Sequence, residues 1–191
     1  MVHRYNKDTQ EKILKEANRL FMSKGYQGTS TREIAKNAGI TQPNLYHYFS
    51  DKEKLYCAVL EEHLSTVGTD LRAILEENKL DFKHSLTKMT KYLIDTHLLD
   101  LFMMHHDLKS NLSAETRNHL FTLWKKSYRE PFEVIFSTNQ SLMRAHVTTE
   151  IAAKHFFLLL APYITESSNS LENPFSVERL IDLYLHGVVA D

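Results

Sequence analysis

The sequence predicts an all-α protein of about nine helices, with an N-terminal three-helix helix-turn-helix domain over residues 1–51 and a larger helical domain over residues 52–191. Three observations predict it. Runs of alternating β-branched residues, the mark of half-buried strands, are missing. Apolar residues recur three and four apart along most of the chain, which is the period of an amphipathic helix. Glycine and proline are scarce, five and four in 191 residues, and most stand where a helix should begin or end.

The first helix is expected from about Lys7 to Lys24, where Ile13, Leu14, Ala17, Leu20 and Phe21 form one apolar stripe. Gly25 is its stop, because glycine accepts the left-handed conformation that commonly closes a helix. Thr29 or Ser30 caps a short second helix, and Glu33, three residues after Ser30, completes a capping-box pattern. Ile34, Ala35 and Ala38 form its inner face, and Gly39 ends it. Thr41 caps a third helix with Pro43 in its first turn, where the missing N–H has no intrahelical partner to lose. Leu45 and Phe49, four apart, point inward. Ser50 and Asp51 break that helix, and a long fourth one follows from Lys52 to about Glu77. Gly68, beside Ser65, Thr66 and Thr69, predicts a bend in it. Further helices are expected at 82–95, 97–109, 114–136, 149–165 and 177–189. Pro131 and Pro162 should kink or divide the helices that hold them.

Composition narrows the function. The chain is 42% hydrophobic, enough for a sizeable core, and its formal net charge is −1. The charge is unevenly placed. Residues 1–54 hold ten Lys/Arg against six acids, a net +4, and the remainder holds thirteen against eighteen, a net −5. A basic front on an acidic body points to an anionic partner for the front alone. The single cysteine, Cys57, allows no disulfide within the chain and, with no CxxC, reads as excluding a cysteine-based zinc site. The longest apolar run, FFLLLAP at 156–162, is far short of the ~20 residues that span a bilayer. A cytoplasmic protein with no membrane partner is expected. No GxGxxG, P-loop, GxSxG or HExxH motif is present, so neither a cofactor nor enzymatic activity is expected.

The stretch TREIAKNAGITQPNLYHYFSDKEKLY carries the most information. Two short helices joined by a tight glycine turn describe a helix-turn-helix. Ala35 lets the helices approach, while Ile40 and Leu45 fill the wedge between them. In such a unit the second helix enters the major groove with its N-terminal residues near base edges. Those residues are Thr41, Gln42, Pro43 and Asn44. Glutamine can pair bidentately with adenine, and proline or a threonine methyl can touch a thymine methyl. Tyr46, His47 and Lys52 carry donors suited to phosphate oxygens. Thr31 and Arg32 open the preceding helix, whose dipole also favours phosphate. Tyr48 is the ambiguous ring, placed to be partly core.

The same residues carry a family resemblance. Gly25-Tyr26, Thr29 to Thr31, Ile34-Ala35, Ala38-Gly39-Ile40, Leu45-Tyr46, Tyr48-Phe49, Lys52 and Leu55 resemble the DNA-binding domain of the TetR (tetracycline-repressor-like) regulators. The likeness covers roughly residues 7–60. His47-Tyr48 stands where many members have the two rings in the opposite order. The resemblance implies a homodimer bound to a double-stranded DNA operator, an all-α regulatory body, and a small-molecule inducer pocket. It also implies DNA contacts at Thr31, Arg32, Thr41, Gln42, Asn44, Tyr46, His47 and Lys52.

The body offers candidates for both remaining roles. Helix 149–165 is apolar nearly all round, so one face fills the core and a second needs cover. The last helix bears a stripe of Val177, Leu180, Ile181, Tyr184 and Val188. With Phe156 and Leu160 these are the expected dimer contacts, in a four-helix bundle across a two-fold axis. The alternative is that both helices are buried within one subunit. For the ligand, Tyr92, Phe102, Met103, His105, Trp124 and Tyr128 stand in a segment rich in bulky side chains. That segment also reads as ordinary core. The lack of clustered Lys/Arg there favours a neutral, partly hydrophobic or aromatic ligand. His97, His105 and His106 lie close in sequence but not at the i, i+4 spacing of a two-histidine helix site, so no metal is expected. Cys57 reads as a small buried residue, with redox sensing the alternative.

A ligand-responsive repressor released from a palindromic operator fits these features. A sequence-tolerant DNA architectural protein is the alternative, and an enzyme with an accessory DNA-binding head is a third.

Overall fold

The computed structural model describes residues 6–77, 82–96, 112–165 and 176–189. Within them the regular structure is helical, apart from an isolated bridge between Met143 and Val189. The expected helix at 97–109 lies outside the described residues.

The elements are α1 (Lys7–Gly28), α2 (Thr31–Asn37), α3 (Gln42–Tyr48), α4 (Lys52–Glu77), α5 (Phe82–Thr96), α6 (Ala114–Trp124), α7 (Glu130–Thr138), α8 (Thr149–Thr165) and α9 (Val177–Val188). A π-helical turn, Lys125–Arg129, joins α6 to α7, and a 3₁₀ turn, Gln140–Leu142, follows α7. The described residues fall into two compact units. Residues up to 63 together with 112–121 form the first, and 64–77, 82–96, 122–165 and 176–189 form the second.

In the first unit α1 turns sharply at Gly25, which takes φ 69°. The Thr29 hydroxyl then donates to the carbonyls of Gly25 and Leu20, so the last turn of the helix is closed by a side chain. Ile13, Ala17, Leu20 and Phe21 are buried and pack with Ile34, Leu45, Leu55 and Leu60 as the core of the unit. Phe21 meets the Tyr56 ring edge-on, with centroids 4.8 Å apart.

In the second unit Pro131 explains a division that the sequence left open. Proline has no N–H, so it breaks the regular hydrogen-bond ladder across the expected 114–136 helix. The chain answers with a π turn, in which the Glu130 N–H reaches back to the Lys125 carbonyl. In that register the Lys126 carbonyl would need the N–H that Pro131 lacks. The Arg72 guanidinium supplies the donor instead, at 2.8 Å. Arg72 also bonds the Gly68 carbonyl at 3.0 Å. α4 runs as one helix through Gly68, where a bend was expected. An added Cβ at Gly68 would lie 3.1 Å from the Ser127 Cα, so the glycine serves close packing.

The core of this unit is aromatic. Phe156 stands 5.5 Å from Phe132, 6.1 Å from Phe136 and 5.1 Å from Tyr184, centroid to centroid. Tyr184 donates its hydroxyl to the Ala152 carbonyl, joining α9 to α8. The Lys83–Asp182 and Lys91–Glu178 ion pairs join α5 to α9. Arg144 caps the end of α9 through its backbone N–H to Val188 O and its Nε to Val189 O.

Candidate nucleic-acid interface

α2 and α3 have seven residues each, too few to hold together by propensity alone. Three local devices fix them. Ser30 Oγ accepts the Glu33 N–H at 3.1 Å, and Thr41 Oγ1 accepts the Asn44 N–H at 3.3 Å, each replacing an orphan bond of a first turn. Between the helices, Ile40 N–H donates to Ala35 O and Gly39 N–H to Lys36 O, with Gly39 at φ 71°. That pairing is a Schellman closure, and the positive φ is what calls for glycine. Leu45 is fully buried and Phe49 nearly so, which orients α3 with its opposite side outward.

The outward side carries the residues that the sequence singled out. Thr41, Pro43, Asn44 and His47 are exposed, as is Arg32 on α2. Tyr46 is 42% exposed although large and aromatic. Thr31, Gln42 and Tyr46 come together as a hydrogen-bonded group. The Gln42 Nε2 amide donates to Thr31 Oγ1 at 3.0 Å and reaches the Tyr46 hydroxyl at 3.5 Å, and the two hydroxyls are 3.1 Å apart. Thr31 is buried, so its hydroxyl serves this group and braces α3 against α2. Gln42 is thereby held in one orientation at the first turn of the helix.

Lys52 is placed differently. Its ammonium stands 4.3 Å from the centre of the Tyr26 ring, a cation–π position that keeps the charge while fixing the side chain. Sequence reasoning quoted Tyr26 without this role, and the Gly25-Tyr26 pair was the signal that could have found it. The two neighbouring rings also separate. His47 is exposed, whereas Tyr48 is half-buried and its hydroxyl accepts the Asn6 N–H at 3.4 Å.

The comparisons with known proteins decide what this arrangement belongs to. The family model for bacterial regulatory proteins of the tetR family matches residues 13–59. Residues 13–59 are thus similar to the DNA-binding domain of the TetR family. The HTH-type transcriptional activator FasR of Mycolicibacterium smegmatis is 38% identical over 63 residues, 33% of this chain and 29% of FasR. The HTH-type transcriptional repressor NemR of Escherichia coli is 29% identical over 76 residues, 40% of this chain and 38% of NemR. The chain thus spans less than half the length of these curated relatives. The crystal structure of E. coli NemR in its reduced form covers 96% of this chain and 98% of its own, with a TM-score of 0.76 at 16% identity. That likeness extends the TetR fold through the body.

In the body, the residues expected at the ligand and dimer sites are placed as follows. Tyr128 is buried, and Trp124 stacks on it with centroids 6.4 Å apart while meeting Phe157 edge-on. Tyr92 donates its hydroxyl to Asp70 at 2.6 Å; burial, and then that carboxylate, push its ionisation well above the usual tyrosine range. Phe102, Met103 and His105 lie outside the described residues, as do His97 and His106. A cleft of about 510 Å³ opens elsewhere in the unit, lined by Arg72, Phe82, Ser85, Pro131, Ile135 and Asn139 among others. None of Tyr92, Trp124 or Tyr128 lines it.

Of the residues expected at the dimer contact, Phe156, Leu160 and Ile181 are fully buried within the subunit and Tyr184 nearly so. Val177, Leu180 and Val188 are half-buried. Among the described residues of these two helices, Ile151, Leu158 and Leu159 on α8 and Leu183 on α9 are large exposed apolar side chains, with Leu158 at 64% and Leu183 at 66%. The all-round hydrophobicity of α8 was the available signal. Which face turns outward was not legible from it. Among the described residues, no helix is long and apolar enough to cross a membrane.

Proposed function

We propose that the protein is a ligand-responsive transcriptional repressor that binds a palindromic DNA operator as a homodimer. The observation that carries this reading is the outward N-terminus of α3, with Gln42 held by Thr31 and Tyr46 and flanked by exposed Thr41, Pro43, Asn44 and His47. A glutamine fixed at that position is suited to an adenine edge, and its exposed neighbours to phosphates and thymine methyls. The net +4 of residues 1–54 supports an anionic partner on this side. Repression needs only occupancy of the operator, so it asks nothing further of the chain.

Two copies would read half-sites about one helical turn apart, ~34–36 Å. The exposed leucines of α8 and α9 would give the pairing surface of a four-helix bundle, with Phe156, Leu160 and Ile181 turned into the subunit core. The 510 Å³ cleft suits a small molecule with an apolar body, contacting Phe82, Pro131 and Ile135, and one or two polar groups within reach of Arg72, Ser85 or Asn139. Its binding would bias the operator-competent state by a coupling of ~1–3 kcal/mol.

Selection of sites from a random DNA pool at near-physiological salt tests the reading. Enrichment of one palindrome is expected, with a specificity of ~10³–10⁷ over random sequence. Binding without motif that fades steeply with salt would support the architectural alternative. On the selected operator, Gln42→Ala should relax preference at one base pair by ~1–3 kcal/mol. Equal losses on every sequence would remove Gln42 from base reading.

A further inference from the structure

Three different donor types meet in the first unit, outside the residues of α3. Cys57 and Glu61 are four apart on α4 and so share one face of it, and His119 comes from α6. The Cys57 thiol, a Glu61 carboxylate oxygen and a His119 ring nitrogen all lie within 4.8 Å of one another. Cys57 Sγ is 3.5 Å from Glu61 Oε1, and His119 Nε2 is 2.5 Å from the same oxygen. We propose that Cys57, Glu61 and His119 bind one divalent cation of the zinc class.

The geometry is near what such an ion requires. Zinc bonds of ~2.3 Å to sulfur and ~2.0 Å to nitrogen or oxygen, at tetrahedral angles, set donors about 3.3–3.6 Å apart. The sulfur–oxygen separation already meets that. The histidine–carboxylate separation must open by under an ångström, and both side chains are about half exposed, so rotamer adjustment suffices. A cavity of about 290 Å³ bordered by Ala58, Glu115 and Thr116 leaves room for the ion and a water as fourth ligand. The helices are already tied at this end. Glu53 accepts both the Ser113 N–H and hydroxyl, and Ser113 Oγ accepts the Thr116 N–H in the first turn of α6. His119 follows one turn later, on a helix start that is fixed without the ion.

The donor set selects the metal. Magnesium and calcium take oxygen ligands, whereas a thiolate with an imidazole suits zinc and its late first-row neighbours. On binding, the Cys57 S–H bond breaks, its proton goes to solvent, and a sulfur–metal bond forms. The His119 ring must carry its proton on Nδ1 so that the Nε2 lone pair faces the ion. The bound ion would link α6 to the opening turns of α4, immediately after the helix-turn-helix. The proposal does not depend on the operator reading, and its test uses no DNA.

Metal-free, reduced full-length protein is titrated with Co²⁺ and followed by absorption, and Zn²⁺ affinity is measured by competition with a chromophoric chelator. The expected result is four-coordinate visible bands and a near-ultraviolet thiolate-to-cobalt band, saturating at one ion per chain. With a single cysteine in the sequence, that band can come only from Cys57. Cys57→Ala should abolish it. Glu61→Gln and His119→Gln alter half-exposed side chains and should keep the helical circular dichroism, while each weakens Zn²⁺ by at least the ~10-fold that loss of even an outer-shell partner costs. A cobalt spectrum without a thiolate band, or Zn²⁺ affinity unchanged in Glu61→Gln and His119→Gln, would overturn the assignment and leave a Glu61–His119 ion pair beside a buried thiol.

Discussion

The two units hold their helices in different ways. In the first, α2 and α3 are ended by individual hydrogen bonds: Ser30 and Thr41 at their starts, the Gly39 closure between them. In the second, longer helices lean on a shared aromatic cluster of Phe132, Phe136, Phe156 and Tyr184. A seven-residue helix has little apolar surface to bury, so its ends must be satisfied one by one. A longer helix with large apolar side chains can bury a whole face, and packing then dominates. The comparison teaches where each unit should be fragile: the body at its largest buried side chains, the reading head at its caps.

The sharpest way to break this contrast is Phe156→Ala. Phe156 is fully buried and touches three rings, so its truncation should cost ~3–5 kcal/mol in urea unfolding. Leu158→Ala, two residues on and largely exposed, should leave subunit stability within ~0.5 kcal/mol while weakening self-association in sedimentation. Equal losses from the two would mean that α8 is not sided as described.

Gly68→Ala comes next. The new methyl would stand 3.0 Å from Ser127 Oγ and 3.1 Å from both Ser127 Cα and Arg72 Nη1. Overpacking against backbone should cost ~1–3 kcal/mol, despite alanine's better helix propensity. A gain in melting temperature would show that the close approach relaxes freely.

In the head the effects are smaller and of another kind. Gly39→Ala meets no atom within 4 Å, yet it places a Cβ at φ 71° and should cost ~1–2 kcal/mol. Thr41→Ala should cost ~1 kcal/mol through the lost cap. Both should weaken operator binding by more than their stability loss alone explains, since each shifts α3. Thermal melts paired with operator titrations check this, and Thr41→Ala with unchanged stability would deny the cap its role.

The smallest expected effect is a pH dependence. Hydrogen bonds from Ser113, then Thr116, hold the Glu53 carboxyl below its ordinary value of 4.5. The folded pKa is therefore below the unfolded one. The stabilisation is fully present above about pH 4.5 and is lost as pH falls through the folded value. Glu53 is only half-buried, so screening keeps the effect below ~1 kcal/mol. The stability gap between wild type and Glu53→Gln should be flat from pH 5.5 to 7 and shrink under acid. A gap that widened under acid would invert the assignment.

Much of the reading head was legible because its signals are local. Caps, the Gly39 turn and the Leu45–Phe49 spacing each act within a few residues, and the helix bounds of α2, α3 and α4 follow from them. The group formed by Gln42, Thr31 and Tyr46 was only half legible. The sequence marked all three as facing DNA, but not that they bond each other, because that depends on how α2 meets α3. In the body, periodicity placed the helices and could not choose among faces. α8 is apolar nearly all round, and its neighbours decide that Phe156 is inside and Leu158 outside.

By itself, then, the sequence determined the all-α class, the helix-turn-helix and the TetR resemblance, since backbone hydrogen bonding and apolar period are properties of adjacent residues. Tertiary structure alone decided three things. It gave Gly68 a packing contact, because Ser127 comes from a distant helical segment of the chain. It filled the gap left by Pro131 with Arg72. It also brought His119 to Cys57 and Glu61, where a single cysteine had read as excluding a cysteine-based zinc site. Such meetings depend on which helix faces pack, and no spacing within one helix encodes that.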